Sequence, residues 1–127
     1  MKIALVDNTP TLQKCLAAIC PHASDIAIDI EGVSLGRNGR IAIVQLFARG
    51  SKTVWLVDVT TLGARAFDEA DEQGRCLRDV FKDSNRKKVR VHDEIPSTSK
   101  PCLVLLRCSE RFRCVVQPLW NITSKCV

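Results

Sequence analysis

The chain has 127 residues, 46% of them hydrophobic and 26% charged, with a net charge of +5. That size suits one domain, and the balance suits a globular protein rather than a disordered one. No apolar run reaches the roughly 20 residues of a membrane helix, and the opening MKIALVDNTP turns polar at Asp7, unlike a secretory signal. The expected location is therefore intracellular, cytoplasm or nucleus, with no membrane partner and no small-molecule cofactor. The mild basic excess permits a nucleic-acid partner. Of the seven cysteines, Cys102, Cys108, Cys114 and Cys126 crowd the end of the chain. An odd count without a signal speaks against a disulfide framework, and the absence of close pairs speaks against structural zinc.

In chain order, Lys2–Val6 reads as a short strand. Thr9 followed by Pro10 reads as an N-cap with proline at the first helical position. Leu12, Cys15, Leu16 and Ile19 then form a helical stripe that ends near Pro21. Residues 26–33 make a strand, and Gly36, Asn38 and Gly39 mark a hairpin turn over residues 35–40. Residues 41–48 are nearly all apolar and read as a central strand. Residues 52–59 are a third strand, with Asp58 near its end. A short helix is expected within residues 60–74 and another over 76–83.

Beyond about residue 88 the pattern dissolves. No glycine follows Gly74, and short apolar runs alternate with basic residues without a helical or a strand period. Local signals that agree on no single structure mark a sequence not selected to fold. The expected organisation is residues 1–88 as a folded unit and residues 89–127 as an unrelated tail.

The strand IAIDIEGV places Asp29 and Glu31 on one face, with Ile26, Ile28 and Ile30 on the other. Two like charges about 7 Å apart on a half-buried strand repel each other, so a positive group should sit between them. Arg37 or Arg40 would do so as ion-pair partners. The sharper alternative is divalent cations, since carboxylates are the hard oxygen ligands of two-metal hydrolytic sites. Gly32 would let a substrate strand approach the backbone closely, and Arg37 and Arg40 could meet phosphate.

Beyond the carboxylate pair, the order Asp29-x-Glu31-Gly32, a Gly-rich turn from Gly36 to Arg40, Gln45-Leu46 and Val57-Asp58-Val59 resembles the first motif region of the DEDD superfamily of 3′–5′ exonucleases, on its RNase D and Egalitarian side. The resemblance spans roughly residues 3–88, the N-terminal half of such a domain. It implies an α/β, ribonuclease H-like mixed sheet that begins with a three-stranded antiparallel meander and carries helices on both faces. It implies metal-dependent hydrolysis of phosphodiester bonds from the free 3′ end of RNA or DNA. Asp29 would bridge two Mg²⁺ or Mn²⁺ ions and Glu31 would hold one of them. Gln45 and Asp58 are expected to serve as structural polar groups.

The family's second motif adds an Asp, and its third a Tyr or His with a last Asp. This chain has no tyrosine, and Val91-His92-Asp93 is followed by nothing that matches. The printed residues therefore supply half a site, and the expectation is that they are inactive alone. A non-catalytic nucleic-acid or protein-binding adaptor on the same fold is the alternative. A sheet cut after three strands is also expected to leave its third strand as an unpaired edge. One permitted codon series for Leu106–Ile122, read one nucleotide later, translates as F-D-V-R-N-D-S-D-A-L-F-S-H-Y-G-I. That resembles the missing second-motif segment, which in relatives follows a strand such as Lys87-Lys88-Val89. The tail is accordingly read as out-of-frame or intron-derived.

Overall fold

A computed structural model of the chain describes residues 1–21, 25–34 and 39–90. The tail assigned to residues 89–127 thus lies outside the described residues from residue 91 onward, as does Arg37. The elements run β1 (Lys2–Val6), α1 (Thr9–Ile19), β2 (Ile26–Val33), β3 (Arg40–Ala48), β4 (Thr53–Asp58), α2 (Val59–Leu62), α3 (Arg65–Asp68), α4 (Leu77–Lys82) and β5 (Lys88–Arg90).

The five strands form one mixed sheet in the order β1-β4-β3-β2-β5. The expected meander is present: β2 pairs antiparallel with β3, and β3 antiparallel with β4. β3 is central, as its apolar run demands. The expectation of an unpaired third strand is wrong. β1 returns to lie parallel beside β4, Lys2 opposite Thr53 through Val6 opposite Val57. On the other flank β5 pairs parallel with β2 over Ile26–Ile28.

Alternation divides the sheet between two apolar layers. Val6, Ile26, Ile28, Val44, Leu46, Ala48 and Val57 join residues of all four described helices, among them Leu12, Leu16 and Ile19 of α1 and Phe67, Leu77 and Phe81 further on, in the main core. Phe67 and Phe81 meet with ring centroids 6.0 Å apart at a tilt of 56°, a geometry that suits the ring quadrupoles. The opposite face carries the smaller cluster of Ala27, Phe47 and Val54, with Leu56 against it.

Two local expectations shift. Asn8, not Thr9, caps α1: its Oδ1 accepts from the Thr11 amide at 3.0 Å, and the Asn8 amide donates back to Thr11 Oγ1. This is a capping box built from two short polar side chains, and Pro10 stays in the first turn where a missing N–H costs nothing. The region 60–74 holds two short helices rather than one, divided at Gly63, which has φ +61°. At the hairpin, a Cβ on Gly39 would overlap the Ser34 carbonyl, so only glycine closes that turn. Among the described residues, no helix is long and apolar enough to cross a membrane.

Candidate functional site

β2 is rich in β-branched residues and alternates strictly, which fixes which side chains reach each face. Ala27, Asp29 and Glu31 emerge opposite the helices. Directly across on β3, Gln45 faces Asp29 and Ile43 faces Glu31; on β4, Leu56 stands beyond Gln45 and Asp58 beyond Ile43. Residues directly opposite share a face. Two rows therefore cross the sheet, Asp29–Gln45–Leu56 and Glu31–Ile43–Asp58.

Asp29 is almost enclosed, at 9% exposure, and Gln45 more so at 2%. Gln45 Nε2 donates to Asp29 Oδ2 at 3.3 Å, and the Ile30 amide donates to Asp29 Oδ1 at 3.0 Å. The second bond follows from the sheet. The Ile26 amide points toward β5 and is taken by the Lys87 carbonyl at 3.0 Å. Four residues on, the Ile30 amide points to the same side, beyond the three residues that pair with β5 among those described. There the Asp29 side chain supplies the acceptor.

Glu31 is exposed, and the register shifts between Glu31 and Gly32, so that Gly32 pairs with Ile41 and skips Ala42. The bulge bends the strand just past the acid pair. Arg40 is exposed opposite Val33, and among the described residues no ion pair joins it to either carboxylate. Gly32 is exposed at the bulge itself.

Asp58 shares the face, but a full strand separates it from Glu31, about 10 Å at strand spacing. It is committed elsewhere. It caps α2, with Oδ1 accepting from the Thr61 amide at 3.0 Å and Oδ2 from the Thr61 hydroxyl at 2.7 Å. The hydroxyl bond, then the amide bond, hold its carboxyl below the usual range. Its role is structural, as the sequence reading has it.

Asp29 and Glu31 offer carboxylate oxygens, one fixed by hydrogen bonds and one facing solvent. This donor chemistry fits a hard divalent cation such as Mg²⁺ or Mn²⁺. Among the described residues, no cluster of three or more His, Cys, Asp or Glu gathers into a complete cation site. The pair is thus a partial donor set.

The fold resembles part of several solved structures. Trypanosoma brucei RNase D in complex with RNA U12 superposes with a TM-score of 0.56 at 24% identity, over 70% of this chain and 30% of that one. The catalytic core of Rrp6 from Trypanosoma brucei gives a TM-score of 0.52 at 21% identity, over 69% of this chain and 22% of that one. Escherichia coli RNase D, an exoribonuclease involved in structured RNA processing, gives 0.50 at 19% identity, over 71% and 21%. The chain spans less than a third of the length of each. No protein-family model matches it, and no curated protein sequence does. At these identities the likeness is one of architecture: residues 2–90 carry an α/β, ribonuclease H-like fold shared with part of the RNase D and Rrp6 structures.

Proposed function

We propose that this chain represents the first-motif portion of a metal-dependent 3′–5′ exonuclease domain acting inside the cell on nucleic acid, with Asp29 and Glu31 as its metal ligands. The observation that supports the reading is the pairing of the two acids on one face of β2, with Asp29 held by Gln45 from the neighbouring strand. When bound, Mg²⁺ or Mn²⁺ would supply activation of water and stabilisation of charge on the phosphodiester oxygens. Asp29 would present an oriented carboxylate to it and Glu31 an adaptable one. Gly32 and Arg40, exposed just beyond the acids, would face the phosphate backbone.

The printed residues supply two of the carboxylates such a site needs and no tyrosine. They are accordingly inactive by themselves. The test is a 3′-end-labelled RNA and a matching DNA incubated with the purified chain and Mn²⁺ or Mg²⁺. No shortening is expected; stepwise shortening that disappears in Asp29→Ala would show that the half-site suffices. The second reading, an adaptor on the same fold, draws on the basic excess of the chain. RNA binding that weakens with salt and ignores divalent ions would favour it.

A further inference from the structure

Gln45 sits in the middle of the central strand, 2% exposed, between the buried apolar residues Val44 and Leu46. Among the described residues, its side-chain hydrogen bond is the one from Nε2 to Asp29 Oδ2. Its Oε1 is buried and meets no donor. A buried acceptor left unmet costs about as much as one hydrogen bond to a carboxylate returns. The amide therefore adds little to stability on balance. What it does accomplish is directional. The carboxylate forces the nitrogen toward itself, since Oε1 there would repel Oδ2. With Oδ1 tied to the Ile30 amide and Oδ2 to Gln45, the Asp29 carboxyl plane is fixed from two sides.

We propose that Gln45 is a positioning residue for the cation site, setting the orientation of the Asp29 carboxylate. This rests on the reading of Asp29 and Glu31 as metal ligands and extends it to a residue that does not touch the ion. Groups that orient a metal ligand typically matter 10- to 100-fold in affinity. The alternative, that Gln45 is merely a tolerated core amide, predicts no change in metal affinity when it is replaced by an isosteric apolar side chain.

The experiment uses the full chain and four proteins: wild type, Gln45→Met, Gln45→Glu and Asp29→Asn. Mn²⁺ binding is followed by electron paramagnetic resonance, and the Ile30 amide by NMR in the absence of metal. Gln45→Met is expected to keep or raise the melting temperature, to move the Ile30 amide resonance, and to weaken Mn²⁺ binding about 10-fold or more. Gln45→Glu, which keeps the shape but sets a second carboxylate against Asp29, guards against a folding artefact. It should move the same amide and change Mn²⁺ affinity by more than twofold. Mn²⁺ binding lost in Asp29→Asn but unchanged within twofold in both Gln45 variants overturns the positioning role alone. Wild-type binding no tighter than that of Asp29→Asn overturns the metal reading and this role with it. An unmoved Ile30 amide in Gln45→Met also overturns the role, whatever the metal does.

Discussion

Arg86, just ahead of β5, donates from Nη1 to the Ile19 carbonyl oxygen at the end of α1, 2.8 Å away and 67 residues distant in sequence. α1 has no basic residue in its last turn, so the cation that favours a helix C-terminus arrives from elsewhere in the chain. Arg86 is 5% exposed, and burial pushes its pKa down, though a guanidinium stays protonated throughout. The contact ties the first helix to the last strand. Arg86→Met is expected to destabilise the fold by about 1.5–3 kcal/mol, the range for hydrogen bonds to charged groups. Urea unfolding followed by circular dichroism measures it, and a change below about 0.5 kcal/mol, the scale of ordinary surface substitutions, would show that the contact is idle.

Stability should fall in mild acid. Asp58 is held below the usual carboxylate range first by the Thr61 hydroxyl. Asp68 is held low first by the Arg78 guanidinium, and Asp71 first by that of Arg75. In the unfolded chain such groups titrate near pH 4. The unfolded chain therefore binds more protons over the interval between the folded values and pH 4. The contribution is complete above that pH and is lost as pH falls through the folded values. A urea midpoint followed from pH 7 to pH 2.5 should stay level, then drop below about pH 4. An Asp58→Asn variant, which keeps an N-cap acceptor but cannot titrate, should show a shallower drop. An identical profile would mean that the Thr61 bonds do not survive in solution.

Cys15 is fully enclosed by α1 and the sheet, and burial, with Cys20 nearby, pushes its thiol up to about 12. Only the thiolate is nucleophilic, so at pH 8 roughly one molecule in ten thousand is reactive there. Iodoacetamide at pH 8 should leave the Cys15 peptide unmodified until denaturant is added. Mass spectrometry reads the result directly. Rapid labelling under native conditions would mean that α1 opens from the sheet.

The tail makes a prediction about the message rather than the fold. The last described strand, Lys88–Arg90, falls where the sequence reading changes character and where the second-motif segment would follow. Sequencing cDNA across codons 85–110 is expected to find a spliced message joining Lys88 or Val89 to the shifted frame that begins F-D-V-R-N-D. A message that reads only as printed would make the tail genuine coding sequence, and the adaptor reading would move ahead of the nuclease.

The meander was legible because period two and the glycine turn are local signals. β2 falls at residues 26–33, as read, and its alternation alone places Asp29 and Glu31 together. The pairing of β1 was not legible. Its five residues carry no signal for a partner about fifty positions away, and that partner turned out to be the strand expected to lie bare. The α1 cap was missed by one residue because Asn8 and Thr9 are both good caps; the choice falls to Asn8 because Thr11 can reach back to it. Gln45 could be read as polar among apolar neighbours, but its grip on Asp29 depends on register. The register is set by the bulge at Glu31/Gly32, which no local composition announces.

Among the described residues, β5 pairs with β2 over Ile26–Ile28. Residues 26–28 are held by strands on both sides, whereas among the described residues 29–33 pair with β3 alone. Asp29 is braced by its own neighbour's amide and by Gln45; Glu31 is exposed, next to a bulge. One acid is thereby anchored from two sides, and its neighbour faces solvent. If the two acids hold a cation as proposed, that ion would meet one carboxylate whose place is set in advance and another that can follow it.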